Sequence, residues 1–141
     1  MEIKVAIVDD HRLFRIAIVN GLSKYPDINI IFQAEDGVEL MAKLIDNPVD
    51  VILLDMEMPK MDGMSTLKEI RKYNQDVKVI ICTAHYEENE MLELIEEKAN
   101  GYLLKGPDTE IIHNAIQSCV YNGFFFNIVT NSLSLKSVYH I

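Results

Sequence analysis

Val51-Ile52-Leu53-Leu54-Asp55-Met56-Glu57-Met58-Pro59-Lys60-Met61-Asp62-Gly63 is an apolar run that stops at a carboxylate and turns into a loop bearing proline and glycine. An unbroken apolar run of this length fits a strand buried on both faces of a parallel sheet. The carboxyl end of such a strand is where a doubly wound α/β sheet places its chemistry. Outward from this stretch the pattern repeats. Ile3–Val8 ends in Asp9-Asp10, Val77–Cys82 ends in Thr83, and Tyr102-Leu103-Leu104 ends in Lys105. Four strand ends thus bring three carboxylates, a hydroxyl and an ammonium to one edge of a sheet.

Strands are expected near Ile3–Val8, Ile28–Ala34, Val51–Leu54, Val77–Cys82 and Gly101–Leu104. Segments of helical period fall between and after them, near Arg12–Lys24, Val38–Asp46, Met64–Tyr73, Glu87–Lys98 and Asp108–Asn122. This alternation predicts an α/β fold, a doubly wound five-stranded parallel sheet with helices on both faces. On the first helix, Leu13, Phe14, Ala17, Ile18, Gly21 and Leu22 share one half, and Ile16 and Val19 project from the other beside Arg12. The last helix is expected to bury Ile111, Ile112, Ala115, Ile116 and Cys119 and to leave His113, Asn114 and Gln117 outward. The glutamates of the fourth helix read as a solvated acidic face. Composition changes after Gly123, so residues 1–123 form one domain and 124–141 a tail. Leu133, Leu135, Val138 and Ile141 give that tail a weak helical pattern.

The chain has 141 residues, enough for one domain and one core, and is 49% hydrophobic and 25% charged. Its net charge of −9 argues against nucleic-acid binding by this chain alone, because such binding rests on phosphate neutralisation. No apolar run approaches the length of a membrane span, and no basic segment leads into an apolar signal core, so the expected location is the cytoplasm. Cys82 and Cys119 lack metal-ligand spacing and read as buried apolar thiols.

Taken singly, each strand-end residue has an ordinary structural explanation. Asp9-Asp10 fits a turn, Thr83 a helix cap and Lys105 the surface. Their joint placement is harder to explain that way, since clustered carboxylates repel and raise one another's pKa. Such a site needs a cation, and oxygen donors with room for water suit Mg2+. With the cation in place, one carboxylate can attack a phosphoryl group. Asp55 is the natural acceptor, Asp9 and Asp10 the metal holders, and Thr83 and Lys105 the partners of the phosphoryl oxygens. Backbone N–H groups at Met56 and Ala84 are further candidate donors on the same edge.

Val8-Asp9-Asp10-His11, Leu54-Asp55-Met56-Glu57-Met58-Pro59-Lys60-Met61-Asp62-Gly63, Thr83-Ala84 and Gly101-Tyr102-Leu103-Leu104-Lys105 together resemble the receiver domains of two-component response regulators. The resemblance covers residues 3 to about 123. It implies a flavodoxin-like sheet of order 2-1-3-4-5. It also implies that Asp55 is the phosphoacceptor and that a partner histidine kinase supplies the phosphoryl group. Asp10, Asp55 and the Glu57 backbone carbonyl would hold Mg2+ directly, and Asp9 through water. Thr83 and Lys105 would contact the phosphoryl group, and Thr83 and Tyr102 would form a switch pair in which the aromatic ring turns inward. The chain would then be no enzyme beyond catalysing its own phosphorylation and dephosphorylation. Gly106 departs from the family pattern, in which proline often follows the lysine.

Asp9-Asp10-His11-Arg12-Leu13-Phe14-Arg15 and Tyr25-Pro26-Asp27-Ile28 are similar to the LuxR/NarL-type subgroup, whose receivers precede a helix-turn-helix DNA-binding domain. The tail from about Asn127 then reads as the start of a linker to an effector domain outside this chain, controlling transcription, or else the chain is a stand-alone receiver. Ile16 and Val19 are expected to contribute to a homodimer face, or to pack under Phe124–Phe126. Two other classes remain open on the sequence. A phosphatase of the haloacid-dehalogenase type wants a second Asp where Glu57 stands and an acidic pair after the lysine. A flavodoxin-like electron carrier wants a phosphate loop where Asp9-Asp10-His11-Arg12 stands.

Overall fold

A computed structural model describes residues 2–106 and 108–126. The chain alternates β1 (Ile3–Val8), α1 (Arg12–Leu22), β2 (Ile28–Ala34), α2 (Gly37–Leu44), β3 (Val51–Asp55), α3 (Gly63–Tyr73), β4 (Lys78–Thr83), α4 (Glu88–Glu96), β5 (Gly101–Leu104), α5 (Thr109–Asn122) and β6 (Phe125–Phe126). The strands form one sheet of order β2-β1-β3-β4-β5-β6, and every neighbouring pair is parallel. The expected order of the first five strands holds, and a sixth strand joins at the edge. The helical pattern expected for Leu133–Ile141 lies outside the described residues.

Alternation along each strand divides the core in two. Val8, Ile52, Leu54, Ile81 and Tyr102 face the side covered through Leu40 of α2, Leu67 and Ile70 of α3, and Met91 and Leu94 of α4. Ile7, Val51, Leu53, Ile80 and Leu103 face Ile18 and Leu22 of α1 and Ile112, Ile116 and Cys119 of α5. All of β3 is buried, as its unbroken apolar run requires. Both cysteines are buried and free, and burial pushes each thiol up to about 12.

β6 forms because α5 ends at Gly123, whose φ of 96° is the left-handed value that glycine adopts without a Cβ penalty. The reversal sends Phe125 N–H to the carbonyl of Asn100 at 2.8 Å. Phe126 then enters the core on one face, and Phe125 packs on the other. The expected tail from residue 124 therefore begins with a strand of the sheet. Val19 and Phe125 pack against the same core layer, whereas Ile16 stays exposed, so the second expectation does not hold for Ile16.

Two helix faces differ from their periodicity. On α1, Leu13 is 83% exposed and Ile16 42% exposed. Ala17 is exposed as well, whereas Val19 packs on the core. The cause is Arg15, which turns inward to donate to the Asp9 carbonyl and to Gln33, so the helix presents its 15/19/22 side to the sheet. On α5, Ile111 is exposed. His113 is covered, stacked on Tyr25 with ring centroids 3.8 Å apart and paired with Asp27 at 2.9 Å.

Candidate functional site

The ends of β1, β3, β4 and β5 meet at one edge, as their lengths and parallel register dictate. Asp55 closes β3 and is 1% exposed. The loop beyond it folds back, so that Glu57 N–H donates to Asp55 Oδ1 at 3.2 Å. Asp9 follows β1, is 3% exposed, and its Oδ1 accepts from His11 N–H at 2.7 Å. α3 starts hard against this loop. A Cβ on Gly63 would come within 2.8 Å of the Asp55 carbonyl oxygen and the Met56 Cα, so glycine permits the approach. Asp62 caps the same helix by accepting from Ser65 N–H at 2.8 Å.

Lys105, just beyond β5, joins the two buried carboxylates. Its Nζ lies 2.9 Å from Asp9 Oδ2, 3.4 Å from Asp55 Oδ2 and 3.3 Å from His11 Nδ1. The ammonium also sits 4.7 Å from the centroid of the Phe14 ring, a favourable cation–π distance. Burial opposes its charge, but the hydrogen bond to Asp9 and the negative charges of Asp9 and Asp55 outweigh it and hold the ammonium's pKa above its usual value. Asp55 goes the other way. Burial first, and the Asp9 charge second, push its carboxyl up to about 8 against the pull of Lys105.

Three carboxylates and one imidazole converge here. Asp9, Asp10, His11 and Asp55 each offer one ligand atom, all within 4.8 Å of one another. Asp10 is exposed and Asp55 buried, so the cluster opens to solvent on one side. Asp55 Oδ2 is the one fully buried side-chain polar atom, among the described residues, that makes no hydrogen bond. A buried carboxylate oxygen that meets Lys105 Nζ as an ion pair at 3.4 Å, beside a solvent-open acidic cluster, fits a hard cation that takes oxygen ligands and keeps water. The residues present therefore suit Mg2+.

Thr83 ends β4 and is 1% exposed. Its hydroxyl lies 3.0 Å from Glu57 Oε1 and 3.1 Å from the His85 carbonyl. Tyr102 lies inside the core at 1% exposure, edge-on to Tyr86. Its hydroxyl donates to Glu90 Oε1 at 2.7 Å and accepts from Glu87 N–H at 3.2 Å. The acidic face of α4 is thus not wholly solvated, since Glu90 holds the phenol. Burial and the Glu90 bond both raise the phenol's pKa.

The structure brings together Asp9, Asp10, Asp55 and Lys105, with Thr83 and Glu57 alongside, and sets Tyr102 in the neighbouring core. Met56 N–H does not serve this edge, because it donates to the Cys82 carbonyl at 2.8 Å and continues the sheet. His11 and Phe14 had no assigned part in the sequence reading. His11 had a signal: it stands two residues after Asp9, the spacing at which a carboxylate binds a following backbone N–H. The Thr83–Glu57 contact had none, because it depends on loop conformation.

Comparison with known proteins agrees with this geometry. The family model described as response regulator receiver domain matches residues 5–117. The transcriptional regulatory protein DegU of Brevibacillus brevis is 33% identical over 129 residues, covering 89% of this chain and 53% of that protein. LiaR of Bacillus subtilis is 34% identical over 116 residues, covering 82% of this chain and 55% of that one. The chain thus spans about half the length of these curated relatives. Among solved structures, the signal receiver domain of the response regulator NarL from Mycobacterium tuberculosis superposes with a TM-score of 0.79 at 32% identity, over 84% of this chain and 96% of that one. The chain belongs to the family of response regulator receiver domains.

Proposed function

We propose that this domain takes a phosphoryl group on Asp55 and uses the resulting charge to switch a signalling output. The observation that carries the reading is the buried Asp55 carboxylate, its Oδ2 ion-paired with Lys105 at 3.4 Å, inside a cluster of metal-ligating side chains. The donor is the phosphohistidine of a partner histidine kinase, or a small acyl phosphate. An Asp55 carboxylate oxygen forms the new O–P bond, the P–N bond to histidine breaks, and the imidazole nitrogen keeps the electron pair. Asp10, Asp55 and the Glu57 carbonyl would hold Mg2+, with Asp9 in support. The ion, when bound, neutralises charge on the transferring oxygens. Lys105 and the Thr83 hydroxyl take the oxygens that remain. Hydrolysis of the acyl phosphate by water resets the domain, which catalyses no other turnover.

The output lies beyond this chain. The relatives are named as transcriptional regulators and are about twice as long, which supports a receiver unit that runs past residue 123 to close with β6, followed by a linker to a DNA-binding effector domain. At a net charge of −9 this chain does not itself supply the DNA contact. Among the described residues no helix is long and apolar enough to cross a membrane, in keeping with a cytoplasmic regulator. Phosphorylation biases a two-state equilibrium, and Tyr102, bonded through Glu90 to α4, is the element placed to carry it outward.

Intact-mass measurement after incubation with acetyl phosphate tests the chemistry. The wild type is expected to gain one phosphoryl group with Mg2+ and none with a chelator. Uptake indifferent to the chelator would remove the metal from the account.

Self-association is the second part of the reading. Leu13, Ile16 and Ala17 recur at i, i+3 and i+4 on the outer face of α1, a spacing that presents one stripe. We assign the homodimer face to this stripe, with Val19 excluded because it packs inward. Sedimentation of a Leu13→Glu/Ile16→Glu variant is expected to show a folded monomer where the phosphorylated wild type dimerises. A wild type monomeric in every state would end the idea.

A further inference from the structure

We infer that Arg15 is a positioning residue for the cation site: its guanidinium, bonded to the Asp9 carbonyl, fixes the turn that presents Asp10. The inference rests on the reading of this cluster as a Mg2+ site and names the group that holds its exposed carboxylate in place. Arg15 lies in the first turn of α1, yet only 11% of its side chain is exposed. Its Nη1 donates to the Asp9 carbonyl, and its Nε donates to Gln33 Oε1 on β2 at 3.1 Å. The Glu35 carboxylate lies 3.9 Å away and is largely exposed, so it adds little.

Asp9 and Asp55 are buried at the sheet edge, whereas Asp10 is exposed. The place of Asp10 therefore depends on the backbone around it, and both peptide units that flank it are pinned. The one before it gives its oxygen to Arg15. The one after it gives its N–H to Asp9 Oδ1 at 2.7 Å. The Arg15 N–H then takes the His11 carbonyl at 2.9 Å and closes the first turn of α1. That helix has no side-chain cap at His11 and no acidic residue in its first turn. Arg15 instead ties its start to the strands, since Asp9 N–H also bonds the Ala34 carbonyl at 3.0 Å, next to Gln33. Groups that orient the ligands of a metal commonly set its affinity.

Charge alone predicts the opposite effect. Arg15 is a cation beside a cation site, and like charges repel. If repulsion were its whole effect, removing it would tighten Mg2+ binding. Positioning predicts weaker binding, so the sign separates the two.

Arg15→Met keeps an apolar stem and removes every donor, and Arg15→Lys keeps a single ammonium. Titration of the metal-free chain with Mg2+, followed by the backbone amide resonances of Asp10 and His11, gives the dissociation constant. It is expected to rise about ten- to a hundredfold in Arg15→Met, the usual loss when a group orienting a metal ligand is removed, and by less in Arg15→Lys. With acetyl phosphate, the Mg2+ concentration for half-maximal phosphorylation should rise by the same factor, while the rate at saturating Mg2+ stays near that of the wild type. A role in stability alone would lower Tm and leave the dissociation constant unmoved.

A folded Arg15→Met that binds Mg2+ as tightly as the wild type, or more tightly, would overturn the inference. So would an Arg15→Lys that binds no better than Arg15→Met. Should methionine prevent folding, Arg15→Lys decides: weaker binding than the wild type supports the positioning role, and equal binding ends it. A wild type that binds no Mg2+ would instead strike the reading of the cluster as a cation site, and this inference with it.

Discussion

Asp55→Asn is expected to make the Mg2+-free chain more stable than the wild type at neutral pH, by about 1–3 kcal/mol, the scale of burying a polar group that its partners compensate only in part. In the wild type the Asp55 carboxyl is pushed up to about 8 by burial and by Asp9, from 3.8 when unperturbed. A group whose folded pKa is raised binds its proton more tightly in the folded state. Its contribution to stability is fully present below about pH 4 and is lost as pH rises through about 8. Asparagine has no such loss. The gap in Tm between variant and wild type should therefore be small at pH 4, widen toward pH 8 and level off above it. Adding Mg2+ should raise the wild-type Tm and narrow the gap, because an ion that binds only the folded state stabilises it. A gap that is constant with pH would mean that the buried charge is not the cause. A site whose nucleophile destabilises its own fold is the expected cost of a preformed functional cluster.

Arg71→Ala should be the most damaging single change away from the site, at about 3–5 kcal/mol. Arg71 is 8% exposed and bonds the carbonyls of Lys98 at 2.8 Å, Val77 at 2.7 Å and Asn74 at 3.1 Å. It also donates to Asn100 Oδ1 at 2.8 Å. Asn100 in turn accepts from Val79 N–H and donates to the Gly123 carbonyl. One guanidinium thus ties the end of α3 to β4, to the turn before β5 and, through Asn100, to the cap from which β6 departs. Truncation strands several acceptors at once. Lysine supplies charge from a single point and cannot span them, so Arg71→Lys should recover less than half of the loss. Exposed Lys72→Ala, the neighbouring control, should fall within about 0.5 kcal/mol of wild type. Urea denaturation measures all three, and a loss below about 1 kcal/mol for Arg71→Ala would contradict the hub.

The sheet was legible because its strands are continuous apolar runs that stop at polar residues. That pattern placed Asp9, Asp55, Thr83 and Lys105 at one edge without any knowledge of contacts. β6 was not legible. Two phenylalanines after a glycine cap carry no period, and only the αL turn at Gly123 and the Asn100 carbonyl make them a strand. The face of α1 was misread because Arg15 is charged and yet turns inward, satisfied by the Asp9 carbonyl and Gln33. The same holds for His113, whose cover is Tyr25 and Asp27 from a loop 86 residues away. Within the site, residue types followed from strand ends, but pairings did not. That Lys105 reaches both Asp9 and Asp55, and that Thr83 turns to Glu57, are matters of side-chain conformation that only the assembled loops decide.

The central claim is that Asp55, and no other carboxylate of the cluster, receives the phosphoryl group. After reaction with acetyl phosphate and Mg2+, borohydride reduces an aspartyl phosphate to homoserine, and peptide mapping by mass spectrometry locates it. The account predicts homoserine at position 55 in the wild type and none anywhere in Asp55→Asn. Homoserine at position 9 or 10 in the wild type, or equal phosphoryl uptake by Asp55→Asn, would contradict it.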